Sequence, residues 1–182
     1  VPRNGSVTAV KGVIRGFYDL DRVNTRAVIL FGHVPVPYSG DRSPDGHPDH
    51  TGAWPADVYY GEMNGSWTDV AVNNPNPARV ENKNIPGDGK FDQSVIPNEI
   101  ELEVGRIDLA NMNGVSNGLN ETQLLRQYLN RNHDFRHARG FFTNVTRRGL
   151  IDDEFGYVSG EAFAATGWRN FTSFFGSAPG SI

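Results

Sequence analysis

Apolar and polar positions alternate most regularly between Glu99 and Val104, where Ile100, Leu102 and Val104 are separated by Glu101 and Glu103. That period of two predicts a half-buried strand, and Gly105 is expected to break it, leaving Arg106 and Asp108 just past its end. A continuous apolar run, Arg26 to Phe31, predicts a strand covered on both faces. Gly32-His33 closes it, and the prolines at 35 and 37 keep it from continuing in a ladder. Upstream, Val7, Val10, Ile14 and Phe17 recur at helical spacing with Ser6 placed as the cap. Gly12 and Gly16 weaken that helix, yet small residues four apart would let it lie close against a sheet.

Downstream, Asn120 with Gln123 has the form of a capping box ahead of an apolar stripe at Leu124, Leu125, Tyr128 and Leu129. Arg136, His137 and Arg139 crowd the end of this helix ahead of Gly140. Arg147 to Asp153 reads as a short buried strand ending in acids; a helix from Ser159 to Ala165 and a strand from Trp168 to Phe175 follow. Helices and strands thus alternate, which predicts an α/β fold with a mostly parallel sheet flanked by helices. Neither a repeat nor a linker divides the chain, so residues 1–182 are expected to form a single domain, with a long Asn/Pro-rich insertion at 70–98.

The stretch Trp54 to Asp69 sets an acid, Asp57, among aromatic residues and carries an Asn64-Gly65 turn signal between Tyr59-Tyr60 and Trp67. A carboxylate in such surroundings needs a partner, and a guanidinium at a strand end matches it with two hydrogen bonds. Asp57 and Arg106 are therefore expected to pair as an architectural element.

The chain is 182 residues long, enough for a sizeable core, and its net charge of −4 with no basic run argues against nucleic acid as a partner. No apolar run approaches a membrane span. Cysteine is absent, which excludes disulfides, thiolate metal sites and a cysteine nucleophile within these residues. The chain opens at Val1 without an initiator Met, as a processed product or excised segment would. Sequons at Asn4, Asn64, Asn120, Asn144 and Asn170 matter only on a eukaryotic secretory route.

Two loops hold candidate metal ligands. Asp41, Asp45, His47, Asp49 and His50 crowd one loop beside His33, and His33, His47 and His50 offer nitrogen donors for a transition metal, or belong to a solvated polar loop. In the insertion, Asn82, Asn84, Asp88 and Asp92 have the oxygen donors and glycine turns of a calcium loop. They lack the EF-hand order, and an Asx-rich turn explains the same letters. His133 and His137, four apart, either grip a metal or form an exposed cationic helix end.

The succession FGHVPVPYSGD, WPADVYYGEMNGSWTD, ELEVGRIDL, a helix and GLIDDEFG resembles the gingipain-type cysteine peptidases over roughly residues 26–175. Its most specific piece is Val104-Gly105-Arg106 downstream of Asp57-Val58-Tyr59-Tyr60. His33 departs from the family's Asp after the strand glycine, and the insertion at 70–98 is a second departure. The resemblance implies a caspase-like fold and an incomplete domain: the amino-terminal part of a secreted or cell-surface peptidase domain. The family's His-Gly and Cys dyad falls beyond the equivalent of Phe175, so no catalytic residue carries over. It also implies that Asp152, Asp153 and Glu154 lie where relatives shape a pocket for a basic peptide side chain. A half-domain of this kind has an open sheet edge, to be covered by the remaining half or by another subunit. Two other readings stay open at this point. One is a non-catalytic caspase-like scaffold in an extracellular assembly. The other is a metal-dependent hydrolase built on His33, His47 and His50.

Overall fold

The structure, a computed structural model, describes residues 6–43, 46–112, 116–143 and 173. The chain divides into two compact units, Val1–Leu125 and Arg126–Ile182. The first begins with helix α1 (Val7–Leu20) and continues through strand β1 (Ala27–Phe31) and the short strands β2 (Tyr38–Ser39) and β3 (Trp54–Pro55). Strand β4 (Glu103–Ile107) and the start of helix α2 (Glu121–Arg136) complete it, with single 3-10 turns at Pro48–His50, Asp57–Tyr60 and Val80–Asn82 between.

Helix α1 starts where Ser6, in an extended conformation, accepts the Ala9 amide on its hydroxyl at 3.2 Å. Its buried stripe is Val7, Val10, Ile14 and Tyr18, because the chain steps four residues from Ile14 to keep facing inward. Phe17, expected on that stripe, is 66% exposed. Gly12 and Gly16 do not mediate close packing either, for a Cβ at either position would meet nothing within 4 Å.

Strand β1 pairs with β4 in parallel, Ala27 opposite Glu103 and Phe31 opposite Ile107. The segments around Leu30 and Leu102 are therefore parallel neighbours, joined by a long crossover; Leu150 lies outside the described residues. The fold is mixed α/β with a small parallel sheet. Two expectations are corrected. Gly105 does not break the strand but sits within it opposite Ile29, and the ladder runs on to Ile107. An extended residue with open space around it has no reason to turn. Among the described residues strand β1 is covered on one face only, since Leu30 is buried while Ile29 is 67% exposed.

The core gathers where β1, the Asp57–Tyr60 turn and α1 meet. Leu30, Val10, Tyr59, Tyr60 and Phe91 form one cluster, and Ile14 bridges it to a second of Tyr18, Met63 and Leu102. Tyr59 stacks on Phe91 with centroids 4.5 Å apart, and Trp67 meets both rings edge-on. Lys11 lies over the Tyr59 ring and donates to the carbonyls of Tyr59 and Glu62, and burial pulls its amine down to about 8. The second unit opens with the remainder of α2, in which the described residues are largely exposed. Among the described residues no helix is long and apolar enough to cross a membrane.

Candidate functional site

The carboxyl ends of β1 and β4 lie side by side, the position at which open α/β sheets build their sites. Arg106 projects from β4 there. Its Nε and one terminal nitrogen donate to the two oxygens of Asp57 at 2.6 and 2.9 Å. The remaining donors reach the carbonyls of Val34 at 2.6 Å and Pro35 at 3.2 Å. One guanidinium thus ties β4, the Asp57 turn and the loop after β1 together. This suits Arg better than Lys, whose ammonium lacks the fork. Hydrogen bonding to Asp57 raises the Arg106 pKa against the opposing effect of burial. The Tyr60 hydroxyl donates to the Pro35 carbonyl at 2.7 Å, and burial pushes that phenol up to about 12.

Next to this clamp, His33 Nδ1 and Asp108 Oδ2 are 2.9 Å apart, and the His33 amide donates to Glu121 at the start of α2 at 3.1 Å. Asp108 also accepts the Ala110 amide at 2.9 Å. Desolvation would raise the Asp108 carboxyl, yet the bonds from Ala110 and His33 hold it below the ordinary value. The reciprocal capping box expected at the start of α2 is present: Asn120 N donates to Gln123 at 2.9 Å and Gln123 N to Asn120 at 3.0 Å. That cap fixes where Glu121 stands and hence where it meets His33.

The three histidines of the loop cluster have different partners. His33 is engaged with Asp108; His50 lies 3.2 Å from Arg79, with its ring 5.2 Å from that of His47. Among the described residues no three His, Asp or Glu side chains form a group able to hold a metal ion. Asp45 lies outside the described residues.

Of the four residues singled out for calcium, Asp92 and Asp88 turn their carboxylates to the loop's own donors, whereas the buried Asn84 Oδ1 has no hydrogen-bond partner among the described residues. Asp92 accepts from Thr68 Oγ1 and from the amides of Val70, Ala71 and Val72 at 2.7 to 3.1 Å. Desolvation works against its charge, but these four donors hold the carboxyl at about 2. Asp88 accepts the amides of Ile85 and Lys90. Asn84 is fully buried and donates to the carbonyls of Gly40 and Phe91 at 3.0 and 2.9 Å, while Asn82 is buried beneath Gly52. Asp69, not singled out in the sequence, holds the amides of Gly87 and Gly89, both at 2.7 Å. The insertion is an Asx-stapled loop whose carboxylates face N–H donors.

A second group escaped the sequence reading. Glu62 is completely buried, and its carboxylate accepts the amides of Asn64 (2.7 Å) and Gly65 and the indole N–H of Trp67 (2.8 Å). Burial opposes the charge, but these donors and Lys11 hold its pKa below the ordinary value. The turn signalled by Asn64-Gly65 is a bend organised around this carboxylate. An acid between aromatic Tyr59-Tyr60 and Trp67 was the available signal. Asp152, Asp153 and Glu154, with the strands and helix expected after Thr143, lie outside the described residues. At the other helix end, the tilted rings of His133 and His137 have centroids 4.4 Å apart and His133 lies 3.3 Å from Arg139. The helix stops at Arg136, where Ala138 takes a left-handed conformation before Gly140 does.

No family model, curated protein or solved structure matches this chain.

Proposed function

We propose that the chain is the amino-terminal part of a gingipain-type cysteine peptidase domain. In this reading it supplies sheet, core and substrate-side loops, while the His/Cys dyad belongs to polypeptide beyond it. The observation that carries the reading is the coupling of parallel neighbours β1 and β4 by the Arg106–Asp57 clamp. Arg106 and Asp57 belong to the two segments on which the resemblance is most specific, and their pairing supports the reading. The clamp commits four of the five Arg106 N–H donors to Asp57 and the carbonyls of Val34 and Pro35, so its role is to fix the loop at the strand ends. A cysteine peptidase needs a thiolate and a base within reach of each other, and the chain contains no cysteine.

The test is the intact mass and sequence of the native polypeptide, followed by assay on peptides with Arg or Lys before the scissile bond. A following His-Gly and Cys with iodoacetamide-sensitive cleavage is the expected result. Reversing Asp152, Asp153 and Glu154 to Lys should then raise KM for basic peptides with little change for neutral ones; unaltered kinetics would rule out the acids as pocket residues. Native polypeptide without a thiol sinks the peptidase reading. The absence of cysteine favours a second reading on its own account, a non-catalytic scaffold of the same ancestry on a cell surface or in an extracellular assembly.

A further inference from the structure

Away from the strand ends, a pocket of about 230 Å³ has Trp54 and Trp67 in its lining. It is smaller than the roughly 300–1,000 Å³ typical of sites for drug-sized ligands, so it suits one side chain rather than a whole ligand. Val58, Val95 and Ile96 add aliphatic walls, and Val95 and Ile96 form an exposed rim. Arg42 is the one charged side chain among the described lining residues. It is exposed, and no carboxylate pairs with it among the described residues.

The polar groups of the lining are committed elsewhere. The Trp54 indole N–H donates to the His50 carbonyl and that of Trp67 to Glu62, both at 2.8 Å. Ser39 donates to the Gln93 carbonyl at 2.6 Å, and the Gln93 amide is bonded to Thr68 through both its oxygen and its nitrogen. Ser94 Oγ accepts the Asp41 amide at 3.0 Å. A hydroxyl-rich ligand such as a sugar would find few partners here. An apolar group would find two indole surfaces, and an anion beside it would find a guanidinium.

We propose that this pocket captures the C-terminal residue of a peptide, its apolar side chain against Trp54 and Trp67 and its terminal carboxylate on Arg42. The inference does not depend on the peptidase reading.

The probes are acetylated pentapeptides, acetyl-Gly-Ser-Gly-Ser-X with X as Phe, Leu or Trp, each as free acid and as C-terminal amide. Binding is read by nuclear magnetic resonance shifts of the two indole N–H groups and by calorimetry. At least one free acid should saturate below about 1 mM, with the amide about five-fold weaker, the upper range for an exposed ion pair. Arg42→Gln should bring acid and amide to equal affinity. Val95→Glu, at an exposed rim position, should weaken the acid more than the amide. Both substitutions replace exposed side chains, so thermal denaturation should match the parent protein. No saturation by any peptide, equal affinity of acid and amide in the parent, or a preference that survives Arg42→Gln overturns the proposal. So does saturation by a uronic-acid oligosaccharide in place of the peptides.

Discussion

At the scale of single residues, the strongest constraint is one guanidinium serving four acceptors. Removing one partner of such a pair leaves the other desolvated and unmatched, at about 3–5 kcal/mol for a fully buried pair. Arg106 and Asp57 keep 18% and 29% of their side-chain surface, which places the expected loss nearer 2–3 kcal/mol. Arg106→Ala should cost more than Asp57→Ala, because it also orphans the carbonyls of Val34 and Pro35. Arg106→Lys should recover less than half the loss, since an ammonium cannot meet both carboxylate oxygens and both carbonyls. Urea denaturation of the three variants measures this, and equal losses for Arg106→Ala and Asp57→Ala would remove the carbonyls from the account. Asp92 makes a separate prediction in pH. Its carboxyl is held at about 2 against an ordinary 3.8, so the folded state binds its proton more weakly than the unfolded chain. The resulting stabilisation is complete above about pH 5 and is lost as pH falls toward 2. Asp92→Asn should therefore lower stability at neutral pH and flatten the stability curve between pH 4 and 2.

At the scale of elements, two glycines separate packing from strand geometry. Gly61 sits against β4: its carbonyl takes the amides of Glu101 and Leu102, and a Cβ there would press into the Leu102 carbonyl and the Val104 side chain. Backbone cannot yield as a side-chain tip does, so Gly61→Ala should cost about 1–3 kcal/mol. Gly105, inside β4 with open space and an extended backbone, should gain up to about 1 kcal/mol on replacement by Ala. Thermal shifts of opposite sign would confirm the contrast. The same elements mark what the sequence made legible. Helix α1 with its Ser6 cap, the apolar run of β1, the Asn120–Gln123 box and the Asp57–Arg106 pair rest on local patterns or on one strong complementarity. Such signals survive without knowledge of the fold. The failures share the opposite cause. Gly105 resembles a breaker only until β1 supplies a ladder partner, and Phe17 continues a helical count only if the helix faces one direction throughout. Glu62 looks like an ordinary surface acid, because the three donors that bury it come from a turn whose path no periodicity encodes. The insertion is a different case: calcium-like spacing and Asx stapling use the same letters, and the amides that face Asp88 and Asp92 show the stapling without deciding on calcium.

At the scale of the whole molecule, the chain carries a net charge of −4 and yet leaves several large apolar side chains in water. Phe17 and Leu20 on α1 are 66% and 83% exposed, and Ile29 on β1 is 67% exposed. Scattered apolar residues are ordinary, but a set shared by one helix and the strand after it marks surface that association would cover. Strand β1 has a single ladder partner among the described residues, β4, and an edge strand with apolar side chains invites pairing with another chain. A half-domain whose sheet is to be continued by further polypeptide would have this character. The 182-residue chain alone should therefore self-associate with rising concentration in sedimentation velocity at moderate salt. Ile29→Lys and Phe17→Lys should each shift the distribution toward monomer without lowering the midpoint of thermal unfolding, because neither side chain contributes to the buried clusters. A chain that stays monomeric at high concentration, or variants that lose stability along with association, would mean that these side chains are covered within the molecule and that the sheet needs no continuation.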